Sequence, residues 1–352
     1  MKLWVFNQDF TLLGSLSTYI YLSWTEEYRG RGVFTLIARD TAANVAMLQE
    51  EYFIYMSGKQ TAMVIKSRKY ESSNSAITVD GYTTLELMDQ RHLLGTYIFS
   101  NAETGMKQIL SNNLRGLPDV DIKANQGYTE TVDTQYTNKA MLDIFPEVCA
   151  ATDLGIRMLF DYENKQHVFD VYKGADRTFG QSANVPVQFS DEWGSLADVA
   201  ITVDKSVFKN VAYVYGEGEG SARLYEIVGT AMGRDRYELP VDARDLQWDD
   251  DPESDDYQTE TQYRTTLQAR GITKLNDHIK TTNFQAEVSS TDFGVKYNLG
   301  DKVTCRSQRY GMQMDARITM YKQEIENNVS TISLTLGDPT ITAIGELKLW
   351  LS

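Results

Sequence analysis

Histidine is the first residue to test for chemistry, because imidazole can serve as a general base or a metal ligand. The chain has three histidines, His92, His167 and His278. Each lies in a different predicted domain, and none stands at metal-ligand spacing from another candidate ligand. His92 follows Arg91 at the end of an element, where a surface or packing role is expected. The histidines therefore predict neither a metal centre nor a catalytic base.

Cysteine chemistry is equally poorly supported. Cys149 and Cys305 lie far apart, so they imply neither a disulfide framework nor a metal cluster. The sequence contains no Gly-x-Ser-x-Gly nucleophile elbow, no P-loop and no paired Cys-His arrangement. We therefore expect no catalytic, cofactor-binding or metal-binding residues and no bound cofactor, and we predict that the chain is not an enzyme.

Two loops could bind ions. Gly216-Glu217-Gly218-Glu219-Gly220 superficially resembles a phosphate loop, but its glutamates repel phosphate, which favours a flexible hairpin tip. Asp249-Asp250-Asp251 with Asp255 and Asp256 could hold calcium, since that ion prefers carboxylate ligands. These aspartates lack the spacing of an EF-hand loop, so a solvated acidic loop is favoured and calcium binding stays open.

Composition describes a soluble globular protein. The chain has 352 residues, 42% hydrophobic and 24% charged, and its length predicts two to four domains. A net charge of −15 argues against a protein that holds nucleic acid or an anionic membrane surface. The segment Met1–Asn7 becomes polar too soon for a signal peptide, and no run reaches transmembrane length. We expect folding in a cytoplasm.

The residues from Phe293 to Pro339 predict three antiparallel strands. Turns are expected at Asn298–Asp301, at Tyr310-Gly311 and at Asn327-Asn328. Between the turns, apolar and polar residues alternate with period two, which is typical of a sheet with one buried and one wet face. The predicted buried positions are Val303, Cys305, Met312, Met314, Ala316, Ile318, Met320, Ile332, Leu334 and Leu336.

The first 98 residues also predict strands, ending in a β-meander that closes at Gly81. Asp40 is the expected N-cap of a short helix that interrupts them. This meander has the order strand, Gly58 turn, long strand, Ser-Asn turn and strand. The elements around Gly311 and Asn327 follow the same order. This shared order indicates either an internal repeat or two unrelated meanders that are built from the same kinds of hairpin.

Residues 99–184 predict an inserted α+β domain. Met106, Ile109, Leu110 and Leu114 have helical spacing, and a second helix is expected around Met141–Val148. Pro146 should kink or restart that helix, and Gly155 should supply its left-handed stop. Strands around Ile156–Tyr162 and Phe169–Val171 complete the domain.

The remaining residues predict a second barrel formed by 185–232 and 284–352, interrupted at 233–283 by the acidic loop and a helix. Val211, Tyr213 and Tyr215 are expected on one face of a strand there. The predicted fold class is α+β, dominated by antiparallel sheet, with two β-barrels and inserted α+β domains.

Weak motifs in the expected order over nearly the whole chain resemble the tail hub proteins of phages. Several of them lie in predicted strands, and Leu267–Leu275 lies in the predicted helix. They are Val5-Phe6-Asn7-Gln8-Asp9-Phe10, Leu13-Gly14, Gly32-Val33-Phe34-Thr35-Leu36, Leu267-Gln268-Ala269-Arg270-Gly271, Leu275, Tyr297-Asn298-Leu299-Gly300-Asp301-Lys302-Val303, Asp315-Ala316-Arg317-Ile318 and Leu334-Thr335-Leu336-Gly337-Asp338-Pro339. The family includes siphophage tail-tip hubs, the N-terminal part of tail-associated lysins and the central hub of contractile baseplates.

This resemblance implies a structural protein of the virion tail tip or baseplate, assembled in the host cytoplasm. Hubs of this family are homotrimers whose subunits each carry two tail-tube-like barrels, so that six barrels adapt the sixfold tube to threefold symmetry. The implied partners are a distal tail or tube-end protein, the tape-measure protein and a spike or tail fibre. DNA would pass through the lumen without specific binding, which an acidic lumen favours. Some relatives carry a peptidase or glycan-cleaving domain after the hub, and none is expected here.

Two alternatives from other classes stay open. The 21 tyrosines could serve a host-surface carbohydrate-binding module, although they mostly occupy alternating positions expected in the core. A hydrolase with Asp and Glu as acid and base is the other alternative. Whether the tail is contractile, and whether the particle is a phage or a phage-like bacteriocin, does not follow from the sequence.

Overall fold

A computed structural model describes residues 1–71, 73, 75–190, 197–220, 223–254, 257–288, 292–307, 309, 311–327 and 329–337. The predicted turn residues Ser72, Asn74, Tyr310 and Asn328, the aspartates 255 and 256, and the chain end from Asp338 lie outside them. The described residues form two compact units, drawn from Met1–Ala200 with Phe284–Lys348 and from Ile201–Asn283. The predicted fold class, α+β dominated by antiparallel sheet, is confirmed.

The first unit is built on a large sheet in which strands neighbour one another in the order β22-β21-β3-β4-β7-β6-β5-β1-β2. Seven strands and a short helix come from its N-terminal part: β1 Leu3–Phe6, β2 Leu12–Leu16, β3 Tyr21–Glu27, β4 Val33–Arg39, α1 Ala42–Met47, β5 Phe53–Met56, β6 Ala62–Glu71 and β7 Ala76–Thr83. Helix α1 begins one residue later than predicted, because the hydroxyl of Thr41, not Asp40, accepts from the N–H of Asn44.

The three C-terminal strands are confirmed as β20 Lys302–Ser307, β21 Met312–Glu326 and β22 Val329–Gly337. The predicted strict alternation of buried and exposed residues along β21 is wrong, however, because its pairing register with β22 shifts between Ile318 and Met320. Beyond the shift, Tyr321 and Ile325 are buried and Met320 lies on the opposite face. Strand β20 also pairs in parallel with β13 Asp176–Arg177 and β14 Gln188–Ser190.

An α+β region within the first unit packs two helices against strands and encloses its own apolar core. Its elements are β8 Thr96–Asn101, α2 Ala102–Asn113, β9 Val120–Ile122, β10 Thr131–Thr137, α3 Met141–Thr152, β11 Gly155–Asp161 and β12 Gln166–Tyr172, preceded by a 3-10 turn at Thr84–Gln90. Both predicted helices and the β11–β12 hairpin are confirmed. Helix α3 does not restart at Pro146, which lies inside it.

The predicted left-handed stop at Gly155 is also wrong. Asp153 holds that conformation, with φ of 58°, and Gly155 already belongs to β11. Glycine is needed at 155 for space, since a Cβ there would lie 2.2 Å from the ring of Tyr28. Aspartate tolerates the left-handed region through its short polar side chain.

The second unit has a three-stranded sheet in the order β17-β16-β18 and one long helix. Its elements are β16 Val211–Tyr215, β17 Tyr225–Val228, β18 Glu238–Asp242 and α4 Glu260–Asn276. Thr259 and Gln262 form a reciprocal capping box that begins the helix. The structure also describes the backbone of two further strands, β15 Ala197–Asp204 and β19 Thr281–Val288.

Both predicted meanders, β5-β6-β7 and β20-β21-β22, are present, and β3 and β4 lie between them in one sheet. That sheet does not close within the part of the chain that the structure describes. The two tube-like barrels, the internal repeat and the predicted domain boundaries therefore stay predictions.

Candidate functional surfaces

The three histidines lie in separate surroundings. His92 is on the surface, and the Nδ1 atom of His278 lies 2.8 Å from the carbonyl of Lys274 at the end of α4. His167 is 2% exposed among the rings of Phe10, Phe53 and Phe160, and neither ring nitrogen has a hydrogen-bond partner in the described structure. Burial lowers the pKa of His167 to about 3, so the ring is neutral at physiological pH.

The other candidate residues are likewise not brought together. Burial raises the pKa of both Cys149 and Cys305 to about 12, so neither thiol ionises readily. In the acidic loop, the carboxylate of Asp249 accepts from the N–H of Asp251 and the hydroxyl of Ser254. Within the described residues, no three acidic, histidine or cysteine side chains could share a metal ion.

The glycine loop connects β16 to β17, and Gly218 and Gly220 take the positive φ values that a tight turn requires. The N–H of Glu217 donates to the hydroxyl of Tyr263, and the Glu217 carboxylate accepts from the N–H of Trp248. These bonds direct the loop's groups toward the protein, as expected of a hairpin tip.

A partly buried ionic cluster joins the α+β region to the C-terminal strands of the same unit. Arg317 donates to both carboxylate oxygens of Asp153 and to the carbonyl of Gly300, and Arg29 donates to Asp153 at 3.2 Å. Burial opposes ionisation of Asp153, but the two arginines hold its pKa below the usual range. Sequence patterns did not predict that these residues meet, because they come from distant segments.

A second ionic cluster lines a cavity of about 600 Å³ beside β3 and β21. Glu26 accepts from the indole of Trp24 and the hydroxyl of Thr61, both at 3.0 Å, and lies 2.8 Å from the Lys59 ammonium. Burial would raise the pKa of Glu26, but these partners, with Lys59 the largest, hold it below the usual range. Lys59 also lies 3.6 Å above the Tyr321 ring. The charges of Glu26 and Lys59 therefore satisfy each other at the wall of the cavity.

The most extensive feature is the polar face of the large sheet, which we call the hydroxyl face. It consists of the alternate side chains of six neighbouring strands that point away from the buried Leu22, Leu36 and Val79. Its partly or fully exposed polar members are Tyr21, Ser23, Thr35, Ser67, Lys69, Thr78, Asp80, Lys322, Glu324, Glu326, Thr331 and Ser333. Arg39 lies at the end of β4 on the same side.

Both lysines of the hydroxyl face are paired with nearby glutamates. The ammonium of Lys322 lies 3.1 Å from Glu324, and that of Lys69 lies 2.6 Å from Glu71. Tyr21 donates to Glu324 at 2.7 Å; burial and this carboxylate raise the pKa of Tyr21 to about 12. Because both lysines stand beside carboxylates, the face offers hydroxyls and carboxylates but weak attraction for phosphate.

No helix within the described residues is both long and apolar enough to cross a bilayer.

The chain matches a known protein family. Residues 2–338 match the model of the Siphovirus ReqiPepy6 Gp37-like protein family. No curated protein sequence matches the chain.

Three solved structures share the fold over nearly their full lengths. A tail protein from Neisseria meningitidis MC58 is 11% identical with a TM-score of 0.59, and 96% of each chain is covered. The 43 kDa tail protein of prophage MuSo2 from Shewanella oneidensis is 10% identical with a TM-score of 0.58, covering 96% of this chain and 98% of that one. Prophage tail protein gp18 from Listeria monocytogenes EGD-e is 13% identical with a TM-score of 0.56, covering 99% and 98%. The resemblance to phage tail proteins is confirmed: the chain belongs to the Siphovirus ReqiPepy6 Gp37-like family and has a fold shared with phage tail proteins.

Proposed function

We propose that this chain is a structural hub of a phage tail. Three copies would form a ring that continues the tail tube, adapts sixfold to threefold symmetry and connects to a spike, fibre or tail tip. Family membership and the fold shared with tail proteins support a structural role in a tail. We propose in addition that the copies form a ring, that the ring has threefold symmetry and that it lies at the tail tip or baseplate.

The hydroxyl face is the observation that carries this proposal. A sheet of six or more strands normally has a helix or a second sheet on each apolar face, while a wet face needs polar residues. Here the wet face spans six neighbouring strands and is lined by hydroxyl and charged side chains. Such a surface suits the inner wall of a water-filled channel.

The charge pattern supports the same orientation. DNA carries one phosphate charge about every 1.7 Å along the duplex and binds clustered lysines and arginines strongly. Lys69 and Lys322 are each neutralised by a neighbouring glutamate, and Asp80 and Glu326 add two negative charges against the one positive charge of Arg39 at the end of β4. We infer that the hydroxyl face lines the lumen, so that DNA passes without being held.

The chain's remaining chemistry also fits a connector. Both thiols are buried, and the one buried histidine has a neutral ring packed between phenyl rings. The proposed partners are a distal tail or tube-end protein, the tape-measure protein and a spike or tail fibre. None of the carboxylates described above forms a pair that supports a hydrolase function.

Negative-stain electron microscopy of the purified chain, alone and mixed with tube-end and spike proteins of the same tail, tests this function. The proposal predicts ring-shaped views with threefold symmetry and a central pore. Particles of single-chain size in every mixture would overturn it.

A further inference from the structure

The cavity of about 600 Å³ beside β3 and β21 contains a carboxylate that the ionic clusters leave unpaired. Glu27, the last residue of β3, is partly buried and lines this cavity. Within the part of the chain that the structure describes, no hydrogen bond or ion pair reaches its carboxylate. The Oε2 atom lies beside Gly30, where a Cβ would stand only 2.8 Å away. The absence of a side chain at position 30 therefore leaves space next to the carboxylate.

The other charged side chains of the cavity wall are already neutralised. Each one forms an ion pair with a neighbour, and the pairs are Lys59 with Glu26, Arg157 with Asp170, Lys173 with Glu130 and Asp301 with Arg177. Met1 also lines the cavity, but its terminal ammonium forms no ion pair with Glu27 among the described residues. The charge left over in the cavity is thus the negative charge of Glu27.

This isolation changes how Glu27 ionises. Burial raises the pKa of the Glu27 carboxyl to about 7, and the positive charge of Arg31 opposes the shift only in part. Arg31 itself is paired with Glu86, which weakens its effect on Glu27. Near neutral pH, the carboxyl therefore alternates between a protonated form and an ionised form that lacks a counter-ion.

The remaining negative charge excludes several classes of ligand. An anion would be repelled, and a neutral ligand would leave the ionised carboxylate without compensation. Calcium takes about six to eight oxygen ligands, whereas no three acidic, histidine or cysteine side chains within the described ranges could share a metal ion. The charge of Glu27 is therefore best matched by a cation that needs few protein ligands.

The apolar part of the wall indicates what kind of cation fits. The side chains of Leu85, Ile156 and Met158 line the cavity together with Glu27. Ile156 lies close to the carboxylate along the chain path, because its N–H donates to the carbonyl of Tyr28 at 2.9 Å. A primary ammonium donates hydrogen bonds to a single carboxylate, and an attached alkyl chain gains by leaving water for such a wall. The volume of the cavity lies within the range of small-molecule sites.

We propose that this cavity binds a small organic cation, a primary ammonium on a short apolar chain, with the Glu27 carboxylate as its counter-ion. The bound ammonium takes the place of the proton, so that binding is coupled to proton release. The site goes beyond the hub function and does not depend on it, because all the residues that line the cavity belong to the first unit.

Saturation-transfer NMR titration of the full chain with n-butylammonium at pH 8 tests the site. We expect saturable binding, and binding of 1-butanol, which has the same chain without a charge, should be at least about tenfold weaker. Glu27→Gln keeps the shape of the side chain and removes its charge, and it should weaken n-butylammonium binding at least about tenfold. Glu219→Gln, which removes the same charge at an exposed position in the second unit, is the matched control and should bind as the unchanged chain does.

The pH dependence of binding gives a second readout from the unchanged chain. With the pKa of Glu27 at about 7, its ionised fraction falls about tenfold between pH 8 and pH 6. An alkylammonium stays charged at both values, as lysine does. Binding of n-butylammonium should therefore weaken about tenfold from pH 8 to pH 6, and Glu27→Gln should remove this dependence.

Three results would overturn the proposal. The first is the absence of saturable n-butylammonium binding at pH 8 to a chain whose circular dichroism shows that it is folded. The second is equal binding by the unchanged chain and Glu27→Gln. The third is equal binding of 1-butanol and n-butylammonium, which would show an apolar cavity that does not use the carboxylate.

Discussion

The guanidinium of Arg317 binds both carboxylate oxygens of Asp153, although the two residues lie 164 positions apart in the chain. Asp153 ends α3 in the left-handed conformation, and Arg317 lies in β21 with 7% of its side chain exposed. The pair therefore ties the α+β region to the sheet that carries the hydroxyl face.

Removing the Asp153 carboxylate should destabilise the chain. Asp153→Gly keeps the left-handed conformation but leaves Arg317 buried without a carboxylate, and we expect a loss of about 2–4 kcal/mol, discounted because Asp153 is half exposed. Asp153→Asn keeps an acceptor and should lose about half as much. Urea unfolding measures both, and a Gly variant as stable as the unchanged chain would contradict the role of the pair.

Replacing His167 should alter the pH dependence of stability. Its pKa is lowered to about 3 in the fold, whereas the unfolded ring takes up a proton near its ordinary value of 6.5. The unfolded state then binds more protons between those values, so the free energy of unfolding falls as pH falls from about 6.5 toward about 3. His167→Phe should flatten that slope while matching or exceeding the stability of the unchanged chain at pH 7. An unchanged slope by denaturant titration would contradict this account.

Adding a methyl group at Gly155 should be costly, because its Cβ would overlap the Tyr28 ring at 2.2 Å. We expect Gly155→Ala to lose about 1–3 kcal/mol in urea unfolding. Gly180→Ala is the control, since the nearest atom to a Cβ there is 3.8 Å away, and it should change stability by less than about 0.5 kcal/mol. Equal effects of both substitutions would show that steric overlap at Gly155 is unimportant.

Reversing charge on the hydroxyl face should impair DNA delivery. Glu326→Lys with Ser67→Lys changes the charge of the face by +3 at two exposed positions, which would retain phosphate if the face lines the lumen. A phage carrying both should assemble tails and adsorb normally but deliver DNA slowly or not at all. Glu163→Lys with Thr266→Lys makes the same charge change at exposed positions off the face and should deliver normally. Normal delivery by the first variant would remove the lumen assignment.

Sequence patterns predicted the positions of helices and strands well. They predicted less well which side chains of each element are buried. The hairpin of β11 and β12, helix α4 and the three C-terminal strands follow from period and turn chemistry, which are local signals. The register shift before Met320 has no such signal, because the bulge depends on pairing with β22. For the same reason, sequence could not show that α4 covers the Val214 side of β16 and leaves Tyr215 on the other side.

The candidate surfaces were less predictable still. The sequence predicted no catalytic or metal residues, and a binding face built from several strands leaves no motif. Glu324 and Ser23 meet on the hydroxyl face although they lie far apart in the chain. Only strand order places them together, and strand order is a tertiary property.

Light scattering of the purified chain over a range of concentrations tests the central claim most directly. A hub predicts the mass of three chains, either for the chain alone or after mixing with a tube-end or spike protein. A mass of one chain at every concentration and in every mixture would contradict the hub.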